Sequence, residues 1–299
     1  MIRDQETINA LVDIIERFVR ERLIPAEDQM AEEGKLPDDL LQEMRELGLF
    51  GLTIPEEYGG LGLTMEEEIL VSMALGHTSP AFRSIMGTNN GIGSAAIVFN
   101  GTEAQKQKYL PKYASGEWIS CFCLTEPEAG SDAASLRTTA RREGDCYVVN
   151  GQKIWTSAGH LADHIFTLAR TDPDSPKHKG ISFLLVPMDQ PGIEVRPIKM
   201  ISGDSEFNGV FYTDARVPKE NVIGGVNNGW AVAMSLLGYE RGEAAATGPI
   251  RFKGEFARLL KMAQDRGLAD DPVIRQKLAW CYSRVQIMGF LGQRVLTQF

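Results

Sequence analysis

Apolar residues recur at helical spacing near the start of the chain, where Ile8, Leu11, Val12, Ile15, Phe18 and Val19 form one stripe that Pro25 stops. A second helix is predicted from Leu40 to Leu47 with Gly48 at its end, and the glycine-rich Leu49–Gly62 stretch reads as an ordered loop. Thr64 with Glu67, and Thr102 with Gln105, have capping-box spacing and mark two further helix starts. Between about residues 117 and 223 the period changes to two. Short strands are predicted at His164–Ala169, Ile181–Val186, Ile193–Ile198 and Val210–Tyr212, and Tyr147-Val148-Val149 leads into Asn150-Gly151, a hairpin signal, with Lys153-Ile154-Trp155 as the partner strand. From Trp230 helical spacing returns, interrupted at Arg266–Pro272, and the last helix carries Leu278, Tyr282, Val285, Met288 and Leu291 on one side. The pattern predicts an α+β multidomain chain. It has an N-terminal helical domain at 1–116, a small middle β-barrel or sandwich at 117–225 and a C-terminal helical domain at 226–299.

Composition narrows the class. A chain of 299 residues with 43% hydrophobic and 24% charged residues is an ordinary globular protein, and no apolar run reaches transmembrane length. The acids near Met1 do not suit a signal or transit peptide, so a cytoplasmic location is expected. A net charge of −9 argues against a general nucleic-acid binder. The four cysteines, Cys121, Cys123, Cys146 and Cys281, and four histidines, His77, His160, His164 and His178, show no zinc spacing and read as reduced thiols and ordinary histidines.

The candidate chemistry centres on Cys121–Asp132 and Asn150–Ser157. The first segment alternates like a strand and then breaks at Pro127 into a loop of Gly, Ser and carboxylates, which brings hydroxyls and free N–H groups to one place. Such a place suits a phosphorylated or polar aromatic ligand, although neither G-x-G-x-x-G nor the phosphate-loop motif occurs. Thr125, Ser131 and Ser157 either bond ligand oxygens or close local turns, and Trp155 either packs in the core or stacks on a planar ligand. Glu126 and Glu128 either form an acid pair or, as the flanking Pro and Gly favour, stand as solvated loop carboxylates. On the predicted helix bearing Trp230, Ala233, Leu236 and Leu237, Glu240 interrupts the apolar stripe with no cation three or four positions away. If that face is buried, desolvation raises its pKa and suits it as a general base; otherwise the side chain reaches solvent or an arginine.

The strings Leu124–Asp132 and Tyr147–Ser157, with Gly59–Gly62 and Val217–Gly224, resemble the signature of the acyl-CoA dehydrogenases over essentially the whole chain. That family's fold is a helical domain, a β-barrel and a helical bundle. The resemblance implies FAD as cofactor, with Phe122, Leu124 and Thr125 against its ring, Gly130 and Ser131 near its pyrophosphate, and Trp155, Thr156 and Ser157 as a second wall. It implies that Ser131 also touches the CoA arm, that Gly238, Tyr239 and Arg241 line the substrate cavity, and that Glu240, within Leu237-Gly238-Tyr239-Glu240-Arg241, takes the α-proton. The implied reaction converts an acyl-CoA thioester to its 2,3-enoyl-CoA and passes electrons to an electron-transfer flavoprotein, in a homodimer or homotetramer, with no metal. Alternatives are an acyl-CoA oxidase or flavin monooxygenase on the same fold, or a non-catalytic partner subunit. The bundle is expected to be incomplete, because the sequence stops short of the family's usual C-terminus.

Overall fold

The structure, a computed structural model, describes residues 2–297, leaving aside the side chains of Tyr239, residues 242–247, Ile250 and Leu296. Its helices are α1 (Gln5–Phe18), α2 (Glu27–Glu33), α3 (Asp38–Glu46), α4 (Met65–Leu75), α5 (Pro80–Asn90), α6 (Ser94–Asn100), α7 (Glu103–Ala114), α8 (Gly229–Asp265) and α9 (Pro272–Leu296). Its strands are β1 (Ser120–Cys123), β2 (Thr139–Glu143), β3 (Cys146–Ser157), β4 (His164–Arg170), β5 (Ile181–Pro187), β6 (Ile193–Ile198), β7 (Phe207–Pro218) and β8 (Val222–Ile223). The predicted α+β class is thus observed. The chain forms two compact units, one of Met1–Pro25, Thr64–Ser79 and Gly238–Phe299 and one of Ala26–Leu63 and Pro80–Leu237.

In the first unit Asp4 caps α1 by accepting the Glu6 and Thr7 amides, and α1 buries Ile8, Ile15 and Phe18. The Thr64–Glu67 capping box opens α4, and the same Glu67 carboxylate accepts from the Arg3 amide at 2.8 Å. The break after α8 is a left-handed Gly267, with the Leu268 amide bonded to Ala263 O at 2.8 Å. Asp271 then caps α9, whose first residue is Pro272.

The second unit holds the eight strands in one sheet of order β6-β7-β3-β2-β4-β5-β8, with β1 pairing β4 in parallel. The expected barrel does not close, because β6 and β8 do not pair. Pro197 removes one backbone donor from β6, and β8 has only two residues with which to extend the ladder. One face of the sheet buries Cys121, Cys123, Tyr147, Val149, Ile165, Leu184 and Val210. The other presents Phe166, Leu168, Phe183 and Leu185 to Tyr109, Tyr113, Val232, Ala233 and Leu236 from the helices.

The hairpin expected at Asn150-Gly151 is also not found. Tyr147–Val149 pairs instead with β2 across a tight turn at Gly144-Asp145, and β3 runs on through Gly151 to Ser157. Gly151 is needed there for space, since a Cβ would lie 2.5 Å from Thr138 Oγ1. Asn150 spends its side chain across the sheet, donating to Asp214 Oδ1 at 2.9 Å and accepting from the Asp214 amide at 3.0 Å.

Two buried asparagines of α5 tie neighbouring segments to it, Asn89 the start of β1 and Asn90 the loop at Leu49–Leu52. Asn89 accepts from the Ser120 amide and hydroxyl, each at 2.9 Å, and donates to Trp118 O at 2.8 Å. Asn90 accepts from the Leu52 amide at 2.6 Å and donates to Met86 O at 3.2 Å and to Leu49 O. A buried amide that satisfies both its donor and acceptor groups ties separate segments together at little desolvation cost.

Candidate functional site

The loop that follows β1 is folded by one buried carboxylate. Glu126 and Ala129 exchange backbone hydrogen bonds at 3.2 and 3.1 Å, which closes a turn with Pro127-Glu128 at its tip. Glu128 is exposed and pairs with Arg137. Glu126 is only 6% exposed, so its expected place in solvent is not observed. Its carboxylate accepts the amides of Arg137 at 2.6 Å and Thr138 at 3.0 Å, and the Lys153 ammonium at 2.8 Å. Burial pushes its pKa up, but the Lys153 charge and these hydrogen bonds outweigh burial and hold it below its ordinary value. Lys153 has no solvent exposure; burial pulls its pKa down against the attraction of Glu126. Its Nζ also donates to Leu124 O at 3.3 Å.

A bulge in β3 explains how Lys153 comes to be inside. By alternation Lys153 and Trp155 would share a face, but the β3–β7 register shifts between Lys153 and Thr156, and Trp155 adopts a left-handed φ of 67°. The extra residue turns Trp155 outward, 55% exposed, while Lys153 and Thr156 are both buried. Trp155 meets Phe207 edge-on at 6.3 Å, and its neighbour Ser157 is exposed. A tryptophan held out of the core in a sparsely populated conformation is the kind of local strain that gathers at binding sites. The core-packing alternative for Trp155 therefore does not apply.

The two predicted motifs meet at this bulge. The Ile154 amide donates to Thr125 O at 3.0 Å, and Cys123 Sγ donates to Ile154 O at 3.2 Å. Burial pushes the Cys123 thiol pKa up, consistent with an inert structural cysteine. Phe122 and Leu124 are half-buried at the end of β1, and Phe122 stacks on Phe183 with ring centroids 6.0 Å apart. Beyond the turn Gly130 and Ser131 are exposed, a Cβ at Gly130 would meet nothing, and neither amide has a protein acceptor among the described residues. Thr156 Oγ1 is buried beside the Cys123 thiol. The structure thus joins Phe122, Leu124, Thr125, Trp155, Thr156 and Ser157 into one shelf, with Gly130 and Ser131 at its loop end. An exposed indole beside free hydroxyls and amides fits a planar ring carrying an anionic tail.

The residues implied for the substrate lie on α8, in the unit that includes Gly238–Phe299. Gly238 is half-buried, Arg241 is exposed, and the Tyr239 side chain lies outside the described residues. The stripe preceding them is buried at Ala233 and Leu236, and Glu240 is exposed. Lys153 and buried Glu126 are the residues that sequence reasoning missed. A lysine inside a predicted strand, followed by Ile154 and Trp155, was the available signal, and only the bulge reveals which way it points.

Comparison with known proteins agrees with this architecture. Residues 5–117 match the acyl-CoA dehydrogenase N-terminal domain, 121–213 the middle domain and 227–299 the C-terminal domain. Acyl-CoA dehydrogenase IpdE1 of Mycobacterium tuberculosis is 39% identical over 247 residues, which cover 83% of this chain and 64% of that protein. The crystal structure of an acyl-CoA dehydrogenase from Geobacillus kaustophilus superposes with a TM-score of 0.91 at 29% identity, over 99% of this chain and 80% of that one. A probable acyl-CoA dehydrogenase from Mycobacterium abscessus superposes with a TM-score of 0.85 at 32% identity, over 99% and 81%. The chain belongs to the acyl-CoA dehydrogenase family, whose members are FAD-binding flavoproteins. It spans just under two thirds of the length of IpdE1. Among the described residues no His, Cys, Asp and Glu group has a metal-binding arrangement, and no helix is long and apolar enough to cross a membrane.

Proposed function

We propose that the protein dehydrogenates an acyl-CoA thioester between its α and β carbons to give the 2,3-enoyl-CoA. The observation that carries this reading is the shelf, where a backbone bulge turns Trp155 outward beside the end of β1. Phe122, Leu124 and Thr125 would hold the isoalloxazine ring of FAD, Trp155, Thr156 and Ser157 would wall it, and Gly130 and Ser131 would take its pyrophosphate through unpaired amides. FAD, when bound, supplies a hydride acceptor. The chain's own part is to bind the thioester, exclude water and hold the α-proton. Ser131 meets the CoA arm, Gly238, Tyr239 and Arg241 line the acyl site, and the Glu240 carboxylate accepts the proton. An α-proton is weakly acidic, so the thioester oxygen must also receive hydrogen bonds that stabilise enolate-like charge.

The Glu240 assignment is supported by its Leu237-Gly238-Tyr239-Glu240-Arg241 context. With it go an electron-transfer flavoprotein as acceptor, a homo-oligomer, a cytoplasmic setting and the division of the family fold at 1–116, 117–225 and 226–299. Anaerobic mixing with acyl-CoAs of graded length tests the reading, by bleaching of the flavin band. Glu240→Gln is expected to slow that bleaching by about 10²–10⁴-fold while leaving the oxidised flavin spectrum unchanged. Bleaching at the wild-type rate would remove Glu240 from the role.

A further inference from the structure

Lys153 and Glu126 are fully or almost fully buried and tie together every segment that forms the shelf. Lys153 Nζ bonds Leu124 O at 3.3 Å and Glu126 Oε1 at 2.8 Å. Glu126 in turn accepts the Arg137 and Thr138 amides, which lead into β2, while Lys153 stands two residues before outward-facing Trp155. Stability alone does not account for such a pair, since two charges taken out of water give little net gain over apolar packing of similar volume. Its orientation does suggest a use. The negative end is held by two backbone N–H donors, and the cationic end donates to the Leu124 carbonyl.

We propose that Lys153 and Glu126 are a positioning pair that fixes the ring-binding edge at Leu124 and lends it positive potential, favouring a bound ring that gains negative charge on reduction. In a dry interior a fixed ammonium acts over short range far more strongly than a solvated one. The same hydrogen bonds hold the bulge, and through it Trp155, in register with the end of β1. This inference rests on the FAD reading above, and it assigns to the two residues a role in tuning the cofactor rather than in touching substrate.

The test uses the full chain as wild type, as Lys153→Met/Glu126→Gln and as Lys153→Arg. Three quantities are measured: unfolding without FAD, affinity for FAD by fluorescence titration, and the midpoint potential and visible spectrum of the bound flavin. The neutral double variant leaves no lone buried charge, so it is expected to unfold close to wild type, yet to bind FAD about tenfold more weakly with a more negative potential and a shifted absorption band. Lys153→Arg is expected to keep the wild-type potential and spectrum. Wild-type affinity, potential and spectrum in a folded double variant would overturn the proposal and leave the pair a purely structural device. Should the double variant not fold, Lys153→Arg decides: a changed potential despite the retained cation overturns the proposal, and an unchanged one supports it. Failure of the wild type to bind FAD would overturn the cofactor reading itself, and the proposal with it.

Discussion

The shelf in the sheet and the helical pair α8–α9 both expose aromatic residues, for different physical reasons. In the shelf the exposure is local and enforced: the bulge gives Trp155 a φ of 67° and leaves its sequence neighbour Thr156 fully buried. Along α8, which holds Pro249 within it, and α9 no described side-chain-bearing residue has a left-handed φ, yet Phe252, Leu259, Met262, Trp280, Phe290 and Leu291 are all exposed. The two helices bury Ala263, Leu278 and Val285, and Phe256 meets Tyr282 at 5.7 Å. A strained single residue backed by a satisfied polar network is suited to a small planar ligand, whereas a broad apolar stripe on an unstrained helix is suited to another macromolecular surface. Exposure alone does not separate these cases; the backbone beneath the side chain does.

The largest expected effect breaks the network behind the shelf. Lys153→Met leaves Glu126 as a lone buried carboxylate and is expected to cost about 3–5 kcal/mol in urea denaturation. A loss under about 1 kcal/mol would mean that water reaches the carboxylate and that the shelf is not dry. His164 sharpens the same contrast. It is 7% exposed among Tyr109, Tyr113 and Trp118, and burial lowers its pKa to about 4, with Lys108 adding to that and Asp163 opposing it. Its folded pKa lies below the unfolded value of about 6.5, so the unfolded chain binds more protons between the two. Stability from this group is therefore complete above about pH 6.5 and is lost as pH falls toward 4, by about 3 kcal/mol in all. His164→Phe should flatten that slope in a pH series of unfolding curves. The smallest effect belongs to the helices: Phe290→Ser is expected to change unfolding free energy by no more than about 0.5 kcal/mol while reducing self-association by analytical ultracentrifugation. A large loss of monomer stability would show that Phe290 packs inside its own chain.

Much of the fold was legible because its signals are local. The capping boxes at Thr64 and Thr102 form with their partners Glu67 and Gln105, and the strands read at His164, Ile181 and Ile193 start at those residues. The break at Arg266–Pro272 is where α8 ends and α9 begins. What failed depends on partners far along the chain. Asn150-Gly151 carries a turn signal, but Asn150 is claimed by Asp214 and Gly151 by a close approach to Thr138, so the strand continues. Barrel closure hinged on edges that Pro197 and the two-residue β8 cannot pair. Glu126 read as solvated because its counter-charge lies 27 residues downstream and points inward only through a bulge. In the candidate site, the residues were legible as motifs, while the strain that displays Trp155 was not.

The central claim is that the shelf is a flavin site, and equilibrium titration of FAD into the wild type and Trp155→Gly tests it most directly. Glycine removes the indole but adopts a left-handed φ freely, so relief of strain and loss of the Phe207 contact should nearly cancel, leaving unfolding free energy within about 1 kcal/mol of wild type. The account predicts saturable FAD binding by the wild type, with affinity about tenfold or more weaker in the variant. Equal affinities in two equally stable proteins would contradict it.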